Sequence, residues 1–166
     1  MTVTGVILAG GLARRMGGRD KAFLSLGGGT LLDRALARLG PQVDALAINS
    51  NGDPAAFADH DAPLVPDLDD SRAGPLAGVL AGLTHAEGAG ASHVVTVAVD
   101  TPFFPSDLVE RLRADLARAL ADGERKVDRW TARHGCAVAR WDADPFDPFF
   151  NVNTPDDLAR AGRMTA

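Results

Sequence analysis

The chain has 166 residues, 46% of them hydrophobic and 23% charged, with a formal net charge of −5 at neutral pH and a single cysteine. That length, with a mean hydropathy of −0.01, fits one soluble globular domain over residues 1–166 with room for a sizeable core. The acidic balance argues against a nucleic-acid duplex or an anionic membrane as main partner, and the lone Cys136 excludes an internal disulfide and a cysteine-based metal centre. The apolar run at the N-terminus is too short for a signal peptide or a membrane span, so the cytoplasm is the expected compartment.

In chain order, Thr4–Ala9 reads as a first strand that runs into Gly10-Gly11. Leu32, Leu36 and Leu39 fall at helical spacing, and Gly40-Pro41 stops that helix. Val43–Asn49 is the second strand, closing in the turn sequence Asn49-Ser50-Asn51-Gly52. Leu64-Val65 leads into Pro66-Asp67-Leu68-Asp69-Asp70, and Pro75 stands where a first helical turn tolerates proline. Leu76, Val79, Leu80 and Leu83 are expected to form the buried stripe of that helix. The nearly continuous apolar run Val94–Val99 reads as a central strand covered on both faces. Ser106 is expected to cap a helix carrying Leu108, Leu112, Leu116 and Leu120, and Thr154-Pro155-Asp156-Asp157 to open a last one. Alternating strands and helices of this kind predict an α/β fold: a Rossmann-like, three-layer domain with a mostly parallel central sheet.

The segment after the first strand carries the chemistry. Adjacent glycines let backbone N–H groups approach an anion closely, and Arg14, Arg15, Arg19 and Lys21 add positive charge against an acidic background. The pattern is built for phosphate. It is not the dinucleotide fingerprint, because Gly10 and Gly11 are adjacent, and it is not a Walker A loop, because Gly18-Arg19-Asp20 separate Gly17 from Lys21.

In open α/β sheets ligands bind beyond the carboxyl ends of the strands. Gly10-Gly11, Asn49, Asp67 and Asp100 all stand at or just after expected strand ends, so four segments deliver polar groups to one edge. Asp100, beside Thr101-Pro102, ends a buried strand, where a carboxylate is costly unless paired or on a cation. Mg²⁺, held by one or two carboxylates plus substrate phosphates, suits it. The residues alone do not choose among Asp67, Asp69 and Asp70. His60, His85, His93 and His134 show no metal-ligand spacing, and Cys136 and Trp130 read as core positions. Glu124-Arg125-Lys126 reads as a solvated run.

Leu8-Ala9-Gly10-Gly11, Arg15-Met16-Gly17 and Asp20-Lys21 together resemble the signature of the sugar-nucleotide-type nucleotidyltransferases, whose fold is glycosyltransferase-A-like. Asp20-Lys21, where other branches place proline before the lysine, and the ending Asn151-Val152-Asn153-Thr154-Pro155-Asp156-Asp157-Leu158 most resemble the molybdenum cofactor guanylyltransferases. Gly74-Pro75-Leu76-Ala77-Gly78 resembles a further segment of the same family. The resemblance implies that Leu8, Ala9, Gly10, Gly11, Lys21, Asn49, Asp67 and Asp100 contact the nucleotide. It also implies that Arg15 and Lys21 act on the triphosphate, and that Asp100 binds magnesium and serves catalysis. Asn151 and Asn153, which could equally satisfy turn backbone, are placed by it near the second substrate and the metal.

The implied reaction transfers GMP from GTP to the terminal phosphate of molybdopterin and releases pyrophosphate. It has Mg²⁺ as cofactor, GTP and molybdopterin as substrates, and transient contacts with proteins that insert the finished cofactor. A monomer is the default. The alternatives are a CTP-dependent cytidylyltransferase of the same fold, against which the Asn-x-Asn ending speaks, and a GTP-binding homologue without catalysis. The resemblance runs from Thr4 to about Leu112 and from about Leu116 to the end. Between them the family has extra strands and a His-Pro-containing segment with no counterpart near residues 112–120. Either the chain is a shortened member or the sequence omits a stretch; the match of both flanks favours omission.

Overall fold

A computed structural model of the chain describes residues 2–10, 20–68, 74–121, 142 and 146–164, with only the backbone at 115–116 and 118–121. The elements in chain order begin with β1 (Val3–Leu8), the two-residue strands β2 (Ser25–Leu26) and β3 (Gly29–Thr30), and α1 (Leu31–Leu39). There follow β4 (Ala45–Asn49), β5 (Leu64–Val65), α2 (Pro75–Gly88), β6 (His93–Ala98), α3 (Leu108–Ala121) and α4 (Pro155–Arg163).

Alternation along β1 organises the layers, because successive side chains point to opposite faces of a sheet. Val3, Gly5 and Ile7 face α1: a Cβ on Gly5 would lie 2.8 Å from Leu39 Cδ2, and Ile7 joins Leu31, Leu32, Ala35 and Leu39 in the core. Val6 and Leu8 face α2 instead, where they meet Gly82 and Gly78. The four-stranded sheet has the order β5-β4-β1-β6 and is parallel throughout, with Leu8 opposite both Asn49 and Ala98. The α/β expectation and the mostly parallel sheet are borne out.

The chain lays down β1, β4 and β5 outward in one direction, then α2 carries it back to β6 on the other side of β1. The order therefore reverses between β1 and β6, and loops leaving these two strands diverge around a crevice. Residues 9–10 leave β1 there, and Val99-Asp100 leave β6, with the Val99 N–H donating to the Leu8 carbonyl at 3.1 Å.

Two local expectations need correction. Leu76, Leu80 and Leu83 are 77%, 54% and 49% exposed and Val79 is half-buried, while α2 buries Gly78, Ala81, Gly82 and Ala86. The reason is distance. A Cβ on Gly82 would lie 3.0 Å from Val6 and one on Gly78 3.1 Å from Leu8, an approach that a leucine face would prevent. Ser106 is exposed and does not cap α3, because the helix starts at Leu108 and Asp107 precedes it. Asp107 accepts from Arg111 Nε at 2.7 Å, one turn on. Among the described residues β6 pairs with β1 and is mostly half-buried.

The last helix is as read. Thr154 Oγ1 accepts from Asp157 N at 3.1 Å and Asp157 Oδ2 accepts from Thr154 N at 2.9 Å, a reciprocal cap. The Thr154 hydroxyl first, with the Asn153 and Thr154 N–H groups, holds the Asp157 carboxyl below its ordinary range. Because overpacking a filled interface costs about 1–3 kcal/mol, Gly82→Ala should lower the unfolding free energy obtained from urea titration by that much, and an unchanged value would disprove the tight α2–β1 contact.

Candidate functional site

Lys21 opens a single 3-10 turn, Lys21–Phe23, capped by Asp20 Oδ1, which accepts from Ala22 N at 3.0 Å. The turn is anchored by buried Ala22 and by Phe23, whose ring lies 4.9 Å from that of Phe57. From this base the Lys21 ammonium reaches across the crevice and donates to Asp100 Oδ2 at 2.7 Å and to Asn153 Oδ1 at 2.7 Å. The Lys21 and Asp100 side chains are 16% and 20% exposed, open enough for a ligand to enter yet shielded enough for the charges to matter.

A second hydrogen bond draws the Asn-x-Asn segment in. Val152 N donates to the Asp100 carbonyl at 2.8 Å, and Val152 is fully buried. The neighbours Asn151 and Asn153 thereby flank Asp100. With its amide assigned nitrogen-inward from its surroundings, Asn151 donates to Asp100 Oδ2 at 2.9 Å and Oδ1 at 3.0 Å. Two segments distant in sequence, Lys21 and residues 151–153, thus meet at Asp100.

The other half of the site lies at the ends of β4 and β5. Asn49, 4% exposed, donates through Nδ2 to the Val65 carbonyl at 3.0 Å and to Asp67 Oδ1 at 2.9 Å. Asn51 Nδ2 donates to Asp67 Oδ2 at 2.8 Å, and Asn51 Oδ1 accepts from Asp67 N at 2.8 Å. Ala9 N donates to the Asn49 carbonyl at 2.8 Å, tying the end of β1 to this network. A Cβ on Gly78 would fall 2.1 Å from Asn49 Oδ1, so only glycine lets α2 sit against that amide. An open cavity lined by Ser50, Asn51, Gly52, Pro54, Leu64, Pro66 and Asp67 adjoins it.

Lys21, Asp100, Asn151 and Asn153 are therefore brought together, and Asn49 and Asp67 are joined beside Leu8, Ala9 and Gly10. Arg15, Gly11 and the other residues of 11–19 lie outside the described residues, as do Asp69, Asp70, Arg72, Glu124-Arg125-Lys126, Trp130, His134 and Cys136. Asn51 is the residue that the sequence reading missed. Its signal is the spacing Asn49-Ser50-Asn51, which in extended chain puts both amides on one face, as Asn151-Val152-Asn153 does at the other half of the site. Among the described residues no group of three His, Cys, Asp or Glu side chains could hold a metal ion, and no helix is long and apolar enough to cross a membrane. His60 Nε2 lies 3.2 Å from Asp33 Oδ1.

Comparison with known proteins decides the family. A family profile described as the MobA-like NTP transferase domain matches residues 5–153. The chain belongs to this family. It is 46% identical to the molybdenum cofactor guanylyltransferase of Rhodopseudomonas palustris (strain BisB5), over 96% of this chain and 92% of that protein. It is 48% identical to the protein of the same name from strain HaA2, over 94% and 89%. Among solved structures, molybdopterin-guanine dinucleotide biosynthesis protein A from Archaeoglobus fulgidus shares the fold, with a TM-score of 0.60, 22% identity and 97% of both chains covered. The match to the BisB5 protein runs over 193 positions although the chain has 166 residues, so that relative carries residues with no counterpart here.

Burial pushes the Asp20 carboxyl above its ordinary range, the Ala22 N–H opposing this in part. An acid whose folded pKa is raised binds more protons folded than unfolded, so stability falls as pH rises from the unfolded value of about 3.9 through the raised one. Asp20→Asn keeps a capping oxygen and removes the charge. It should flatten that part of the stability–pH curve and leave the protein more stable at pH 7 than the parent; a curve parallel to the parent's would refute this account.

Proposed function

We propose that the chain transfers GMP from GTP to the terminal phosphate of molybdopterin, forming the guanine dinucleotide and releasing pyrophosphate. The observation that carries this reading is the Lys21–Asp100–Asn151–Asn153 cluster at the point where the strand order reverses, beside the Asn49–Asp67 network. The name of the Rhodopseudomonas relatives, molybdenum cofactor guanylyltransferase, supports guanylyl transfer in this reading.

A phosphate oxygen of the acceptor attacks the α-phosphorus of GTP. The bond between that phosphorus and the oxygen leading to the β-phosphate breaks, and pyrophosphate leaves with the electron pair. The attacking phosphate is already ionised near neutral pH, so no general base is needed; positioning and charge neutralisation do the work. Lys21 would leave Asn153 for the β- and γ-phosphates and hold the charge that builds on pyrophosphate, aided by Arg15 and by the backbone of Leu8, Ala9, Gly10 and Gly11. Asn49 and Asp67 would hold the nucleoside, and Asn151 and Asn153 the acceptor.

The donor set fits magnesium. Asp100 offers one partly exposed carboxylate that already attracts the Lys21 ammonium, which the Asn153 Oδ1 shares. Mg²⁺ binds through one or two carboxylates plus substrate phosphates, which suits a single Asp100. When bound, the ion would neutralise negative charge on the α-phosphate side. Asp100 would orient it there, while Asn151 fixes the plane of the Asp100 carboxylate.

We also propose that the residues found in the relatives and lacking here belong near 112–120. There α3 runs unbroken from Leu108 to Ala121.

Pyrophosphate release measured with each of the four NTPs, with Mg²⁺ and molybdopterin, should occur with GTP and require both additions. Release with CTP would make the protein a cytidylyltransferase, and tight GTP binding without release would make it a non-catalytic nucleotide binder. Lys21→Ala and Asp100→Ala should each lower kcat by about a hundredfold or more with the circular dichroism spectrum unchanged. Turnover at the parent rate in either variant would remove that residue from the mechanism.

A further inference from the structure

We propose that Asn51 is a positioning residue that fixes Asp67 for the nucleoside, an inference that rests on the reading of Asp67 as a nucleotide contact. The Asn51 side chain holds Asp67 at two points, donating to Oδ2 at 2.8 Å and accepting from the backbone N–H at 2.8 Å. A two-point grip on one residue restrains both its backbone and its side-chain torsions. Asn49 takes the other carboxylate oxygen at 2.9 Å. Each oxygen thus receives one amide hydrogen and keeps acceptor capacity for a ligand donor, a nucleoside hydroxyl or ring N–H. Two fixed acceptors side by side read such donors far better than a carboxylate free to rotate.

The loop does not depend on Asn51 for its shape. Ser50 is buried; its N–H donates to the Val65 carbonyl at 3.3 Å, and its Oγ accepts from Gly52 N at 3.0 Å. These bonds carry the β4–β5 pairing one residue past the strand and turn the chain, leaving Asn51 exposed as the outer wall beside Asp67. Asn51 itself is exposed, and its side-chain hydrogen bonds go to Asp67.

The test is GTP binding by calorimetry in the presence of Mg²⁺, paired with steady-state kinetics. Asn51→Ala should raise the GTP Kd about tenfold, the loss expected when a charge-assisted hydrogen bond is removed, with kcat at saturating GTP unchanged. In an Asp67→Ala background the same substitution should have no further effect. Asn51→Asp should bind as weakly as Asn51→Ala at pH 8, where two carboxylates face each other. It should recover toward the parent at acidic pH, where a shared proton restores the hydrogen bond. The neighbouring carboxyl of Asp20, whose Oδ2 lies 3.2 Å from a Cβ on Gly52, is allowed for by measuring the parent at each pH.

Asn51→Ala weakening GTP equally with and without Asp67 would overturn the proposal, because the effect would not pass through Asp67. Asp67→Ala weakening GTP while Asn51→Ala does not would overturn it alone and leave the nucleotide reading standing. Asp67→Ala without effect on GTP would end both.

Discussion

One ion pair sets the geometry of this protein's ligand edge. Lys21 and Asp100 are 79 residues apart, and they meet at 2.7 Å across the crevice opened where the strand order reverses. Each is held from behind: Lys21 by its 3-10 turn with the Phe23–Phe57 contact, Asp100 by the end of β6 and the backbone bond from Val152. A partly exposed pair of this kind contributes little to stability, since solvent screens the attraction and desolvation offsets it. Its value lies in placement. In the function proposed above, a cation and a carboxylate kept face to face would serve a polyanion on one side and a metal on the other.

The second constraint is steric. Asn49 reaches Asp67 from a buried position, and α2 crosses directly above it. The helix comes that close because Gly78, Ala81, Gly82 and Ala86 form its inner face. This reverses the usual expectation that leucine marks the buried side of a helix. Where a helix must lie near backbone and a functional amide, small side chains go in and the long apolar ones are left outside, here Leu76, Leu80 and Leu83.

That reversal shows what the sequence could and could not reveal. Strand runs such as Val6-Ile7-Leu8 are legible because a buried strand needs apolar residues whatever surrounds it. The cap at Thr154 is legible because its partners are local. The inner face of α2 is not, since composition ranks leucine above glycine for burial and only the sheet's proximity overturns the ranking. The same holds for the site. Glycines, Lys21 and Asp100 stood out by type and position and the Asn-x-Asn ending by its resemblance to the family, whereas Asn51 looked like a turn former. Its grip on Asp67 depends on how β5 lies beside β4, which no short window of sequence contains. The profile match over residues 5–153 and the Rhodopseudomonas relatives agree with the reading of the motifs.

The most direct test of the central claim is a crystal structure with Mg²⁺ and a GTP analogue whose bond between the α- and β-phosphates cannot be cleaved. The account requires Lys21 Nζ on a β- or γ-phosphate oxygen, Asp100 on the metal, and the nucleoside against Asn49 and Asp67. A nucleotide bound elsewhere, with Lys21 still paired to Asp100, would contradict it.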